Sequence, residues 1–309
     1  METQMITIVN LNPCLDWQYN VPSFTHGGMN RVRRTYEAAT AKGTNVAIVL
    51  KNLGHAPLCT GFNFIDGGEK VTERFDALGI VHDLITVPGA VRVNIKLFEE
   101  DTSTMTELNQ PGYFVADEYI EKLVDKIAAM PNEGILVLSG SLPAGVSPNI
   151  YAHLVKLWHG KVFVDAEGEA LRQAVQSRPF AIKPNLFELE TTFGVTLKTP
   201  AEVADFCRGM LGDGLELICV SMGADGAVLV TPQGMYFSPG VEVKALGLAG
   251  AGDSMVAGLI HALETDMCTS EMLRYGVAAA TASVTLPGTE LCGVIDIEKF
   301  LGQVEVTKI

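Results

Sequence analysis

Apolar positions in this chain follow two spacings in turn. Compact apolar runs at residues 5–11, 57–62, 135–138, 161–165, 180–183 and 215–220 read as buried strands. Helical spacing between them places helices over 46–53, stopped by Gly54, and over 69–78, with Gly79 at the C-terminal end. The same spacing continues over 116–130, 150–158, 171–176 and 185–193, and two further helices begin near Ala251 and Ser270. This alternation predicts an α/β fold with a mostly parallel sheet covered by helices on both faces. Two stretches interrupt it. Residues 17–34 break the alternation, and 91–109 reads as two strands joined by a polar turn at Glu100-Asp101-Thr102-Ser103. Both predict extra strands outside the main sheet, forming a small lid. No repeat, linker or low-complexity segment marks a second full domain, so one domain over 1–309 is expected.

Composition narrows the functional classes. With 48% hydrophobic and 19% charged residues, a chain of 309 can bury a sizeable core. No apolar run reaches membrane-spanning length, and Met1-Glu2-Thr3-Gln4 opens without a basic region leading into an apolar segment, so a soluble, cytoplasmic protein is expected. Six cysteines without a Cys-x-x-Cys pair read as reduced thiols. A formal net charge of −14 argues against nucleic acid and anionic membranes as main partners. A small anionic ligand fits such a chain only where basic residues cluster.

Gly250-Ala251-Gly252-Asp253-Ser254 is the most informative stretch. A glycine-rich turn opens a helix whose buried face is set by Met255, Val256, Leu259, Ile260 and Leu263. The first N–H groups of a helix lack intrahelical partners and form a positive end that small residues let an anion approach. Asp253 repels the same anion. A base beside an anion hole suits a hydroxyl that loses its proton while attacking a phosphoryl group. The motif also reads as a tight turn with an acid near a helix N-terminus.

Other constellations carry paired readings. Alternation over 91–97 puts Arg92, Asn94 and Lys96 on one strand face, suited to a phosphorylated polyol or to a charged edge strand. Asn45 suits a helix N-cap, and Lys42 just ahead of it is placed to meet an anion, with Arg31, Arg33 and Arg34 adding local positive charge. Asn185 and Glu188 match a capping box and also suit waters around Mg²⁺. Ser221, Gly223 and Gly226 follow a strand and suit phosphate oxygens, or a hairpin turn at Asp225-Gly226. Ser139 lies at the carboxyl end of a strand, where open α/β sheets bind ligands. Asp16 can accept from sugar hydroxyls or stabilise a turn. No histidine falls in a metal-ligand or triad pattern. Neither a Gly-x-Gly-x-x-Gly after the first strand nor a Gly-x-x-x-x-Gly-Lys-[Ser/Thr] motif is present.

In this order the pieces resemble the PfkB branch of the ribokinase-like sugar kinases, with the sugar-phosphate kinases for fructose 1-phosphate and tagatose 6-phosphate nearest in pattern. The resemblance rests on Asn12-Pro13…Asp16, Gly28-Met29-Asn30-Arg31, Lys42-Gly43-Thr44-Asn45 and Arg92-Val93-Asn94-Ile95-Lys96. It continues through Ser139-Gly140-Ser141-Leu142-Pro143, Lys183-Pro184-Asn185 with Glu188, Ser221…Gly223…Gly226 and the 250–254 turn. It implies a three-layer sandwich with a β-lid that mediates a homodimer. It further implies Asp253 as catalytic base, and the backbone of Gly250, Ala251 and Gly252 as anion hole. Asp16, Asn30, Lys42, Gly43, Asn45, Arg92, Asn94 and Ser139 would hold a sugar phosphate. Lys183, Asn185, Glu188, Ser221, Gly223 and Gly226 would attend ATP, with Glu188 reaching Mg²⁺ through water. The implied activity is ATP-dependent phosphorylation of a ketohexose monophosphate, foremost fructose 1-phosphate. Alternatives are tagatose 6-phosphate or fructose 6-phosphate as acceptor, and a non-catalytic sugar-phosphate or nucleotide sensor. Two departures stand out. Thr40-Ala41 replaces paired glycines, which predicts crowding of the sugar, and Gly247-Leu248-Ala249 lacks a threonine hydroxyl.

Overall fold

The computed structural model describes residues 5–131, 133–247 and 250–309. The expectations placed on Met1–Gln4, Leu248 and Ala249 lie outside the described residues. The chain runs β1 (Ile6–Asn10), β2 (Cys14–Val21), β3 (Arg34–Thr40), α1 (Lys42–Asn52), β4 (Leu58–Asp66), α2 (Gly68–Leu78), β5 (Val81–Ala90), β6 (Arg92–Glu99) and β7 (Thr104–Asn109). It continues with α3 (Asp117–Ala128), β8 (Ile135–Ser139), α4 (Ile150–Leu157), β9 (Lys161–Asp165), α5 (Gly168–Gln176), β10 (Ala181–Ile182), α6 (Leu186–Phe193), α7 (Pro200–Met210) and β11 (Leu217–Ser221). The last part holds β12 (Ala227–Thr231), β13 (Gly234–Ser238), α8 (Ala251–Glu264), α9 (Thr269–Val284), α10 (Val294–Leu301) and β14 (Thr307–Lys308).

Ten strands form the main sheet in the order β14-β13-β12-β11-β10-β9-β8-β1-β4-β5. From β11 to β5 every neighbouring pair is parallel, and β12, β13 and β14 add antiparallel pairs at one edge. The central strand β8 is buried at every residue, as a parallel strand covered on both faces must be. The helices α1, α8, α9 and α10 pack in succession, and α3, α4, α5 and α6 form a second connected set. Strand order reverses between β1 and β8: later strands add outward from β8, while β4 and β5 lie beyond β1. That switch point opens a crevice at the carboxyl ends of the strands.

A second sheet holds four strands in the order β3-β2-β6-β7. Its strands differ in part from the expected ranges. The stretch expected at 17–34 is β2 and β3, joined by residues 22–33, which form no strand. Helix α1 starts at Lys42 and not at residue 46, so Asn45 lies within its first turn and is not an N-cap. Strand β5 gave no clear pattern because it is a partly exposed edge strand containing Pro88. Helices α7 and α10 and strands β13 and β14 were likewise not read from the sequence. Among the described residues, no helix is long and apolar enough to cross a membrane.

Candidate active site

The crevice is a cavity of about 800 Å³ between the switch point and the small sheet. Helix α8 enters it through Gly250, which is left-handed at φ 81°. The left-handed backbone is what requires glycine, and a Cβ there would also press on the tip of Leu291, 2.6 Å from its Cδ2. Ser254 Oγ donates to the Gly250 carbonyl at 2.8 Å and lies 2.7 Å from Ser283 Oγ, which pins the turn to α9. Ala251, Gly252 and Asp253, whose N–H groups open the helix and find no acceptor among the described residues, stand at the cavity wall.

Asp253 is 6% exposed, and its Oδ2 accepts from Asn45 Nδ2 at 2.7 Å. Burial pushes its pKa up to about 6, helped by the nearby charge of Asp165. Lys42, the Asn45 amide and Lys183 act in the opposite direction. Such a carboxylate is ionised at neutral pH yet basic enough to take a proton. Asn45 reaches it because α1 is buried on nearly all sides from Gly43 to Leu50, which fixes the helix against β1 and α8.

Three lysines enter with carboxylate partners. Lys42 Nζ lies 3.2 Å from Asp165 Oδ1 and 3.4 Å from Glu188 Oε1. Burial alone would lower its pKa, but the charges of Asp165, Glu188 and Asp253 outweigh burial and raise it, so it stays an ammonium. Lys183 Nζ lies 3.6 Å from Asp165 Oδ1 and 3.3 Å from the point where a Cβ on Gly252 would sit. A positive charge therefore stands beside the α8 N-terminus. Lys96 forms a short buried ion pair with Asp16, whose other oxygen accepts from Asn94 Nδ2 at 3.0 Å. Burial opposes the charge on Lys96, and Asp16 restores it, raising the pKa.

Arg92 differs. Its donors meet the Asn12 carbonyl at 3.3 Å, Asn94 Oδ1 at 3.2 Å and the Gln110 carbonyl at 3.0 Å. Among the described residues no carboxylate pairs with it. It is a charge held in place by neutral acceptors and left uncompensated, as an anion site needs.

At the start of α6 the capping box is real. Asn185 Oδ1 accepts from Glu188 N–H, and Glu188 Oε2 from Asn185 N–H, both at 2.8 Å. The two readings of this pair are compatible. The cap fixes one oxygen of each side chain and leaves the Asn185 amide NH₂ outside it, while Glu188 Oε1, paired with Lys42, keeps a second lone pair at the cavity wall. Ser221 and Gly223 line the same wall. A second cavity of about 510 Å³ adjoins it through shared residues Gly223 and Ala251, and is mostly apolar, with Val243, Met255, Val277 and Val284 among its walls.

Four expected site residues do not reach the first cavity. Asn30 accepts from Thr25 N–H at 2.8 Å and donates to the Thr25 and Gly28 carbonyls, so its amide is consumed in its own loop. Ser139 is 1% exposed and stands behind Asp165, donating to its Oδ2 at 3.4 Å; Ser141 lines the cavity in its place. At Gly43 a Cβ would meet Ile8 and Asn10 at 3.2 and 3.3 Å, so this glycine serves the close packing of α1 on β1. At Gly226 a Cβ would fall 1.9 Å from the Ser238 carbonyl, so the β12 turn requires it, and it borders only the apolar cavity. Asp16 does line the first cavity, and Lys96 and Asn94 each take one lone pair of its carboxylate and fix its orientation there. Asp165 went unread; its signal was its place at the carboxyl end of the strand over 161–165, opposite Ser139 in β8. Asn10 and Gln110 also line the cavity and were not singled out, and Asn12 lines it too, read from the sequence as part of the 12–16 motif without a role of its own.

Taken together, fold and site define an α/β phosphotransferase acting on a carbohydrate, and the chain belongs to the pfkB family carbohydrate kinases, whose family model matches residues 7–295. It is similar to the 1-phosphofructokinase of Borreliella burgdorferi, at 31% identity over 308 residues, covering 99% of each chain. Among solved structures it is similar to phosphofructokinase-2 from Escherichia coli in complex with substrates and products, with a TM-score of 0.90 and 26% identity, covering 97% of this chain and 99% of that one. Ribokinase from Thermotoga maritima shares the fold, with a TM-score of 0.75 at 21% identity over 97% of this chain and 99% of its own.

Proposed function

We propose that this protein is an ATP-dependent 1-phosphofructokinase, transferring the γ-phosphoryl group of ATP to the free primary hydroxyl of fructose 1-phosphate. The single observation that carries the reading is that the Asp253 carboxylate and the uncompensated Arg92 guanidinium face one cavity beside the α8 N-terminus. Arg92 takes the phosphate already on the sugar, with Asn94 and Asn12 near the ring. Asp253, aimed by Asn45, accepts the hydroxyl proton as the oxygen attacks phosphorus in line. The N–H groups of Ala251 and Gly252 and the Lys183 ammonium stabilise charge on the migrating group. Ser221 and Gly223 lie beside the ATP phosphates, and the adjoining apolar cavity takes the base.

The donors near Asn185 suit Mg²⁺ held through water. Glu188 offers oxygen, keeps one lone-pair-bearing atom outside the cap, and lies beside a nucleotide-phosphate path. When bound, the ion supplies charge neutralisation between phosphates.

The small sheet serves as a lid within a single domain. One face presents Cys14, Asp16, Arg92, Asn94 and Lys96 to the cavity. The opposite face carries the partly exposed Tyr19, Ile95 and Leu97 with exposed Leu108, beside Trp17 and Val93, which lean on the core, and a second copy would cover this surface in a homodimer. The protein works in the cytoplasm.

Steady-state kinetics in a coupled ADP-release assay test the reading, with fructose 1-phosphate, fructose 6-phosphate and tagatose 6-phosphate offered in turn. The highest kcat/KM belongs to fructose 1-phosphate. A preference for another sugar reassigns the acceptor, and ligand binding without ADP release makes the protein a sensor.

A further inference from the structure

We propose that Asp165 is a positioning residue that tethers the Lys42 and Lys183 ammoniums on the two sides of the phosphoryl-transfer path. The inference rests on reading the cavity as a kinase site. Asp165 ends β9 at 1% exposure and lines the cavity, yet a carboxylate there repels the phosphates the site must take. Its use is therefore indirect. Its Oδ1 faces both Lys42, at 3.2 Å, and Lys183, at 3.6 Å, and its Oδ2 accepts from Ser139 Oγ.

The two lysines arrive from different parts of the chain. Lys42 opens α1 one turn before Asn45, and its ammonium also meets Glu188 Oε1 at 3.4 Å. Lys183 follows β10 and stands beside Gly252 at the anion hole. Lysine side chains have many rotamers, and two ammoniums in one cavity repel each other. Among the described residues, the buried Asp165 carboxylate is the one ion-pair partner the two share, with Glu188 a second partner for Lys42 alone, and Ser139 fixes the orientation of Asp165. Binding of either phosphate is then to ammoniums already in place.

Isothermal calorimetry on the full chain tests this, measuring Kd for Mg·ATP and, separately, for fructose 1-phosphate. Asp165→Asn weakens each by about tenfold, the size of coupling expected between groups in one ion-pair network. In a Lys42→Met background, Asp165→Asn no longer weakens fructose 1-phosphate but still weakens Mg·ATP. In a Lys183→Met background the pattern reverses. A purely structural role would give equal losses in every background and overturns the proposal. So does an unchanged pair of Kd values with a raised Mg²⁺ requirement for turnover, which makes Asp165 a metal ligand. Wild-type protein that binds neither ligand sinks the kinase reading with it; wild-type protein that binds both and shows no coupling sinks the tether alone. If Asp165→Asn does not fold, ¹⁵Nζ NMR of the wild type decides. Tethered Lys42 and Lys183 give slowly exchanging ammonium signals, assigned through Lys42→Arg and Lys183→Arg, and their absence overturns the proposal.

Discussion

Replacing Asp253 by Asn should make the protein slower and more stable at once. The carboxylate is buried, with its pKa raised from 3.8 to about 6. Raised in the folded state, it binds more protons folded than unfolded between those values, so stability falls as pH rises through that window. Above pH 6 the full cost is present. Two pH units at about 1.36 kcal/mol each give roughly 3 kcal/mol. Asparagine has the same shape, can still accept from Asn45, and carries no charge to bury. For 309 residues at about 2.1 cal/mol/K per residue, that relief raises Tm by roughly 4–5 °C at pH 8. Turnover drops by about 10²- to 10⁴-fold with the loss of the base. Differential scanning calorimetry of both proteins at pH 8 and pH 4 is the assay. The Tm difference should be largest at pH 8 and nearly vanish at pH 4, where wild-type Asp253 is protonated. An Asn variant no more stable than wild type at pH 8, or an advantage that persists at pH 4, refutes the burial reasoning. Wild-type turnover in the variant refutes the role as base.

Four further outcomes follow from the same geometry. In wild type, kcat/KM falls about tenfold per pH unit below about 6, because the base must be ionised; a profile flat to pH 5 excludes Asp253 as that group. Arg92→Ala raises KM for the sugar phosphate by roughly 10- to 100-fold, the value of a charge-assisted hydrogen bond, while KM for ATP stays near wild type in initial-rate kinetics. Lys96→Met leaves buried Asp16 without its ion pair and costs about 3–5 kcal/mol in urea unfolding, while Lys96→Met with Asp16→Leu recovers most of it. Ala41→Gly removes a methyl from the cavity wall and lowers KM for the sugar phosphate; an unchanged KM shows that Ala41 does not crowd the sugar.

What the sequence determined by itself was local. Apolar spacing fixed the parallel strands β1, β8 and β9 and the helices α3, α4, α6, α8 and α9, because buried periodicity is a property of neighbouring residues. The glycine turn and acid at 250–254 were legible for the same reason, since a left-handed entry and a small-residue helix start are written in adjacent positions. Edge strand β5 was not, because its inward and outward alternation slips at Leu84-Ile85 and Pro88 interrupts the run. Only the tertiary structure decided which polar side chains share a cavity. Asn45 reads in the sequence as a cap or as a sugar-phosphate ligand, and its amide meets Asp253, 208 residues away. Asp16 carried no sign in the sequence of the Lys96 ammonium that holds it at the cavity wall across a parallel pair of strands. Asn30 and Ser139 carried suitable chemistry and fell outside, one spent on its own loop and one behind Asp165. Whether a polar atom is free for a ligand depends on partners far away in the chain, and those partners exist only once the strands are ordered around the switch point.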